Sequence, residues 1–246
     1  MPQERQHRER QPRRRGRATA QTRTHLSREQ VVRAALAIVD RDGLDGFSMR
    51  KLGAELGVDP MAAYYYFPNK AAVLDGIVDA VYAEIPPLSG AEAPWDSRLR
   101  ELMRAWRQVL RAHPHALPVL STHPPSTPLT LQQEETAVAI LYNAGFPPLE
   151  AFQAMSCLAG YVIGVAFAEV GVQPGGVPDP TEEEIREGIA QLSADVYPAL
   201  TAAFRGGIWF DPDAWFEAGL DLFITGLKAR HDAIARGADA ITSRSA

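Results

Sequence analysis

The stretch from Ser48 to Tyr66 constrains the fold more than any other part of the chain, because it demands two short helices joined by a tight turn. Ser48 can cap a helix that turns Leu52 and Leu56 inward, and Gly57-Val58 follows at its end, where glycine permits a turn that a side chain would resist. Asp59 caps the next helix, and Pro60 takes its first position, where the missing N–H costs no hydrogen bond. Upstream, Ser27 and Gln30 form a capping box, Val31, Ala34, Ala35, Ile38 and Val39 recur at helical spacing, and Gly43 supplies a stop, which predicts a helix over 28–42. Downstream, Phe67-Pro68 ends the short helix and Asn69 caps another over 70–84 with Ala72, Val73, Ile77 and Val81 as its apolar stripe. A helix-turn-helix this compact, with aromatic and basic side chains around its turn, points to a DNA duplex as its partner.

Charge is distributed to match. The whole chain carries a formal net charge of -5, but residues 1–70 hold 14 Lys and Arg against 8 Asp and Glu, and residues 71–246 hold 11 against 22. Much of the basic excess lies in Arg5, Arg8, Arg10, Arg13, Arg14, Arg15, Arg17 and Arg23, interleaved with Gln, Pro and Gly. Such a segment has too few apolar side chains to pack, so residues 1–25 are expected to be a disordered basic arm able to neutralise phosphates or enter a minor groove. Residues 237–246 are expected to be a flexible C-terminal tail.

The segment from Ser27 to Ile77 resembles the tetracycline-repressor (TetR) family of transcriptional regulators. The match lies in Gly43, Phe47-Ser48, Leu52, Leu56-Gly57-Val58, Tyr64, Tyr66-Phe67 and Asn69-Lys70. The resemblance implies that residues 60–66 are the recognition helix, that the chain is a homodimer, and that its second half is an all-helical ligand-binding body. It also implies base contact at Arg50, whose guanidinium can reach guanine N7 and O6 as a fork, with simple phosphate pairing as the alternative. Pro60, Met61 and Ala62 open the recognition helix; they lack strong hydrogen-bonding groups, so thymine methyl contact and shape would outweigh a donor and acceptor code. Tyr64, Tyr65 and Tyr66 sit about 100° apart around a helix and cannot all face one core. By the resemblance, Tyr64 and Tyr65 touch sugar-phosphate or base edges and Tyr66 a phosphate, while Lys70 adds a charge beside the amides opening its helix. Ser48 and Lys51 complete the expected DNA-binding set, and Phe47 and Phe67 read as core.

Beyond Pro94 the chain reads as helices punctuated by proline and glycine: 95–113, a break at Pro114 and Pro118, a loop over 121–128, then 130–144, 149–170, a Gly/Pro loop over 171–180, an acid-capped helix over 181–204, and 213–236. No segment alternates at a two-residue period. The expected fold class is therefore all-α: a three-helix helix-turn-helix DNA-binding domain over 26–72 and a larger helical ligand-binding and dimerisation domain over 73–236. The helix bearing Phe152, Met155, Leu158, Tyr161, Val162, Val165 and Ala166, and the one bearing Trp215, Phe216, Leu220, Leu222, Phe223 and Leu227, are apolar on more than one face. Either one large core buries them or a second copy does, with Gly160, Gly164, Gly219 and Gly226 allowing close approach. Met103, Trp106, Leu110, His123, Phe152, Met155 and Tyr161 are the candidates for a small-molecule pocket, although each also reads as core. The C-terminal half resembles the tetracycline-binding branch over 110–125 and at Gly145-Phe146, and Trp106 sits where an aromatic is expected. Leu102, Leu120 and Thr136, however, stand where an amide, a metal-binding histidine and another amide would be, so the resemblance stops short of a magnesium-tetracycline site.

Other classes find little support. No stretch reaches the roughly 18 uninterrupted apolar residues of a membrane span, and the N-terminal arginines precede no apolar run, so a cytoplasmic protein without a membrane partner is expected. The single cysteine, Cys157, allows no internal disulfide and reads as a small buried hydrophobe. His113, His115 and His123 lack a further ligand at metal spacing, and Glu182 to Glu184 are explained by a helix start, so no metal and no cofactor are expected. No phosphate-cradling glycine loop or Gly-x-Ser-x-Gly elbow is present, so no enzyme is expected. The expected protein is a homodimeric repressor that binds a double-stranded DNA operator and answers to a small-molecule effector. A helical protein-interaction module without DNA binding and an all-helical enzyme are the alternatives.

Overall fold

The computed structural model describes residues 26–90, 92–123, 125–170, 181–205 and 211–242. The basic arm over 1–25, the Gly/Pro loop over 171–180 and residues 243–246 lie outside the described residues. The helices run in the order α1 (Arg28–Gly46), α2 (Met49–Leu56), α3 (Pro60–Tyr66), α4 (Lys70–Ala83), α5 (Trp95–Ala112), a 3-10 turn at Pro114–Ala116, α6 (Leu117–Thr122), α7 (Pro128–Asn143), α8 (Pro148–Val170), α9 (Glu182–Ala190), α10 (Pro198–Arg205) and α11 (Pro212–Thr242). No strand occurs among the described residues.

The local signals of the head are realised as hydrogen bonds. Ser27 Oγ accepts from the Gln30 N–H and Gln30 Oε1 from the Ser27 N–H; Ser48, Asp59 and Asn69 accept from the backbone N–H groups of Lys51, Met61 and Ala72. Gly43 stands at φ 72° and ψ 172°, so regular helix ends there and a kinked turn carries the chain to Gly46. Gly57 adopts φ 65° and ψ 29°, the left-handed cap between α2 and α3. Val31, Ala35, Ile38, Val39, Leu52, Ala63 and Phe67 meet in a core from which water is excluded.

Several boundaries in the body differ from expectation. Pro118 does not merely break the chain: it lies in the first turn of α6, which extends through residues expected to be a loop, because the first turn is where proline is tolerated. The single helix expected over 181–204 divides into α9 and α10, with a turn between them and Pro198 opening the second. Helix α11 continues to Thr242, past residue 236. Cys157 is exposed rather than buried, since α8 turns only its Ala151, Met155, Leu158, Val162 and Ala166 side inward. That helix is long and apolar enough, by length and composition, to cross a membrane, although Gln153 and Ser156 keep it short of 18 uninterrupted apolar residues. Its charges, Glu150 and Glu169, sit close to its two ends.

Helices α5, α7 and α8 pack side by side, and α4 lies across α1 on one side and α7 on the other. A nearly buried ion pair braces the body: Arg107 Nη2 donates to Glu169 Oε1 at 2.5 Å and to Asp213 Oδ1 at 2.7 Å, while its guanidinium lies 4.5 Å from the centre of the Phe216 ring. One side chain thus ties α5, α8 and α11. A second joint connects head to body. His113 lies 2.9 Å from Asp40 Oδ2 on α1 and 3.0 Å from Glu84 Oε2 after α4, and His115 Nδ1 lies 2.7 Å from the Asp40 carbonyl.

Candidate functional site

The outward face of α3 is unusually rich in exposed large side chains. Met61 is 69% exposed, Tyr65 86% and Tyr64 39%, and Pro60 and Ala62 are half-buried beside them. Hydrophobic groups left in water on a seven-residue helix are costly to the isolated chain unless a surface of complementary shape covers them. Tyr66 is different. Its hydroxyl donates to the Leu26 carbonyl and its ring meets that of Tyr65 edge-on at 5.2 Å, so the phosphate role read from the sequence gives way to a packing role. The tyrosine run divides as helical geometry demands, with two side chains outward and one turned back.

Around that face the cations fall into two groups. Arg50 is exposed and has no ion pair or hydrogen bond among the described residues, so its full fork is available to a ligand. Lys51 Nζ instead lies 3.4 Å from Asp42 Oδ2, within a cluster in which Arg41 pairs with both Asp42 and Glu55. The hydrogen bond from Arg41 is the main reason the Asp42 carboxyl stays below its usual range. Lys70 is exposed, though its Nζ also donates to the Phe47 carbonyl at 3.3 Å. Ser48 spends its hydroxyl oxygen on the Lys51 N–H as the cap of α2. At the back of the head, Arg28 lies 3.9 Å over the Phe67 ring and donates to the Tyr66 carbonyl at 2.9 Å, clamping α3 to α1.

One residue needed by this surface was not singled out in the sequence. A Cβ on Gly53 would lie 2.9 Å from both Cα and N of Pro60, so only glycine lets α2 approach the start of α3 at this distance. Its sequence signal was a glycine inside a short amphipathic helix, easily read as a weak helix former.

In the body a cavity of about 500 Å³ opens between α4, α5, α6, α7 and α8. Of the seven residues proposed from the sequence it gathers four: Met103, Trp106, His123 and Met155. Leu110 is fully buried in the core away from it, and Phe152 is 47% exposed on the outward side of α8. Tyr161 leaves the cavity for α11: its ring stacks on Phe216 at 5.9 Å and its hydroxyl donates to the Phe216 carbonyl at 2.9 Å, in the space a Gly219 side chain would need. Among the residues not anticipated are Tyr82 in the last turn of α4, Ile85 just past its end, and Gln133 and Glu134 on α7. Burial, and then the charge of Glu134, push the Tyr82 hydroxyl above its ordinary pKa, so it stays a neutral donor. The three histidines do not converge: His113 and His115 bind the end of α1, while His123 folds back on its own helix at the Val119 carbonyl. No group of three or more His, Cys, Asp or Glu among the described residues forms a metal position.

Two family models match successive parts of the chain. Residues 31–77 match the model of bacterial regulatory proteins of the tetR family, and residues 87–231 match the tetracyclin repressor-like C-terminal domain. An HTH-type transcriptional regulator of Saccharopolyspora erythraea is 33% identical over 85% of this chain and 88% of its own length. The class A tetracycline repressor protein from transposon 1721 of Escherichia coli is 31% identical over 84% of this chain and 93% of its own. Among solved structures, ActR of Streptomyces coelicolor in complex with actinorhodin superposes with a TM-score of 0.71 at 25% identity, covering 84% of this chain and 97% of that one.

Proposed function

Since the chain belongs to the TetR family of bacterial regulatory proteins, we propose that it is a homodimeric repressor that leaves a palindromic operator when a small molecule enters the cavity between α4 and α8. It is a DNA-binding transcriptional regulator. In the proposed mechanism, Arg50 is the main polar base reader. Pro60, Met61 and Ala62 meet the major-groove floor, Tyr64 and Tyr65 meet sugar-phosphate or base edges, and Lys51 and Lys70 meet phosphates beside the Ser48 cap. Tyr66 serves by holding α3. The regulator works in the cytoplasm, where its operator lies.

The observation that carries the regulatory reading is the position of Tyr82. Tyr82 lines the cavity near the end of α4, and Lys70, at the start of the same helix, borders the recognition helix. With 14 residues α4 is a lever of about 21 Å. A ligand that fits better when Tyr82 is displaced favours a tilted α4, and hence a different separation of the two recognition helices in a dimer. Without that difference in affinity nothing moves.

Dimerisation is supported by what α8 and α11 leave uncovered. Leu149 and Phe152 on α8, and Trp215 and Leu222 on α11, are all exposed, Leu222 at 77%. Four such helices from two copies would form a bundle and hold two recognition helices about 34–36 Å apart, one turn of DNA. A Cβ on Gly164 or Gly226 would meet nothing within 4 Å inside one subunit, which leaves room there for a second copy.

A gel shift on the chain's own promoter region tests the reading together with sedimentation. Leu222→Glu should leave the subunit folded, convert a dimer to a monomer and weaken operator retardation. A wild-type chain that is monomeric at micromolar concentration and prefers no native sequence over random duplex would overturn it.

A further inference from the structure

Accepting the cavity as the effector site, we propose that its effector is a flat aromatic cation, a nitrogen base protonated at neutral pH, with its ring against Tyr82 and Trp106 and its charged N–H on Glu134. The argument starts from which polar groups in the cavity are already satisfied. Ser121 and Thr122 donate to the Pro118 carbonyl at 3.1 and 2.7 Å, and Ser156 donates to the Phe152 carbonyl at 2.9 Å. His123 has its Nδ1 3.1 Å from the Val119 carbonyl. These groups are spent on the backbone of their own helices.

Glu134 is not. It is half-buried on α7 and has no hydrogen bond or ion pair among the described residues, and no Lys or Arg lines the cavity. Its one marked electrostatic influence is on Tyr82. A carboxylate on the wall of a largely apolar recess, without a counter-charge beside it, is a ready partner for a bound cation. Gln133 beside it offers a donor and an acceptor to the cation's neighbouring substituents.

The walls favour the same class. The Tyr82 and Trp106 rings meet at 6.1 Å with their planes 48° apart, making an aromatic corner, and Met103 and Met155 supply polarisable sulfur. Aromatic faces attract cations and stack with flat rings. An anionic aromatic would bring its charge toward Glu134, and a chelated metal would find Leu102 and Leu120 where ligands are needed. A volume of about 500 Å³ holds a molecule of several fused rings.

Calorimetric titration of the full chain without DNA, at about pH 7, against three rings of similar size decides the matter: 9-aminoacridine as the cation, acridine as the neutral form and anthracene-9-carboxylate as the anion. The cation should bind about tenfold more tightly than acridine, and the carboxylate more weakly than both. Glu134→Gln should reduce the preference for the cation over acridine from about tenfold to under about twofold. Equal or tighter binding of acridine or the carboxylate by the wild type, or a cation preference that survives Glu134→Gln, overturns the proposal. Ala159→Trp, with Ala137→Trp as a second blocking variant, separates the two readings. If blocking abolishes acridine binding, the cavity stands and a failed preference sinks the cation alone. If acridine binding survives blocking, or no probe binds at all, the effector site itself is misplaced and the proposal falls with it.

Discussion

Between Ser27 and Lys70 the helix starts are fixed by side chains two or three residues away: Ser27 on Gln30, Ser48 on Lys51, Asp59 on Met61 and Asn69 on Ala72. The cavity is built the other way. Its walls come from positions as far apart as Tyr82 and Ile163, and no pair of neighbours in the chain defines it. The head therefore presents a surface set by short-range geometry, while the body encloses a space set by the packing of distant helices. The two can diverge separately: Met103 and Glu134 line the cavity and neither lies in α2 or α3, so substitutions there leave the outward face of the head as it is.

Four substitutions probe that separation. The largest effect should come from the body's buried charge. Arg107→Ala would leave Glu169, whose side chain is 3% exposed, with only its longer 3.6 Å contact to Arg111, and is expected to cost about 3 kcal/mol in urea unfolding. A loss under about 1 kcal/mol would mean the pair is no more than a surface contact. Next is the head's own tight point, where Gly53→Val sets a side chain against the Pro60 backbone. We expect about 2 kcal/mol of destabilisation and loss of operator retardation, with ligand binding by the body retained. Arg50→Ala should be smaller in a different currency: about 1–2 kcal/mol of operator affinity and no change in the thermal midpoint, since Arg50 supports nothing within the chain.

The smallest effect belongs to the joint between the two regions. Burial works against the charged form of His113, but the hydrogen bonds to Glu84 and Asp40 outweigh it and raise its pKa. A raised folded-state pKa means the stabilisation is complete below the unfolded value of about 6.5 and fades as pH rises through the folded one. The urea midpoint of the wild type should therefore decline modestly across that window, and His113→Gln should flatten the decline. A slope of the opposite sign would show that the two carboxylates do not hold the charged ring.

The head was legible in the sequence because its signals are local. Capping residues, the Gly57 turn and the first-position Pro60 act on bonds within a few residues, and no distant contact overrode them. The exceptions are instructive: Gly53 and Tyr66 depend on where another element lies, namely the start of α3 and the Leu26 carbonyl. In the body, helix periods survived but partners did not. Tyr161 and Phe152 share an apolar helix with Met155, yet only Met155 reaches the cavity, because α8 also packs on α11 and leaves another side uncovered.

The order of residues alone determined an all-helical chain, a helix-turn-helix at its basic end, the caps that start its short helices and the face of α3 that stays outside, since each follows from hydrogen bonds and periodicities spanning a few residues. Tertiary packing decided that Tyr82 closes the cavity, that Glu134 is left without a counter-charge, that His113 bridges Asp40 and Glu84, and that Arg107 draws three helices onto Glu169 and Asp213. Those pairings join residues dozens of positions apart, and which apolar face meets which is a choice among many packings that local spacing does not rank.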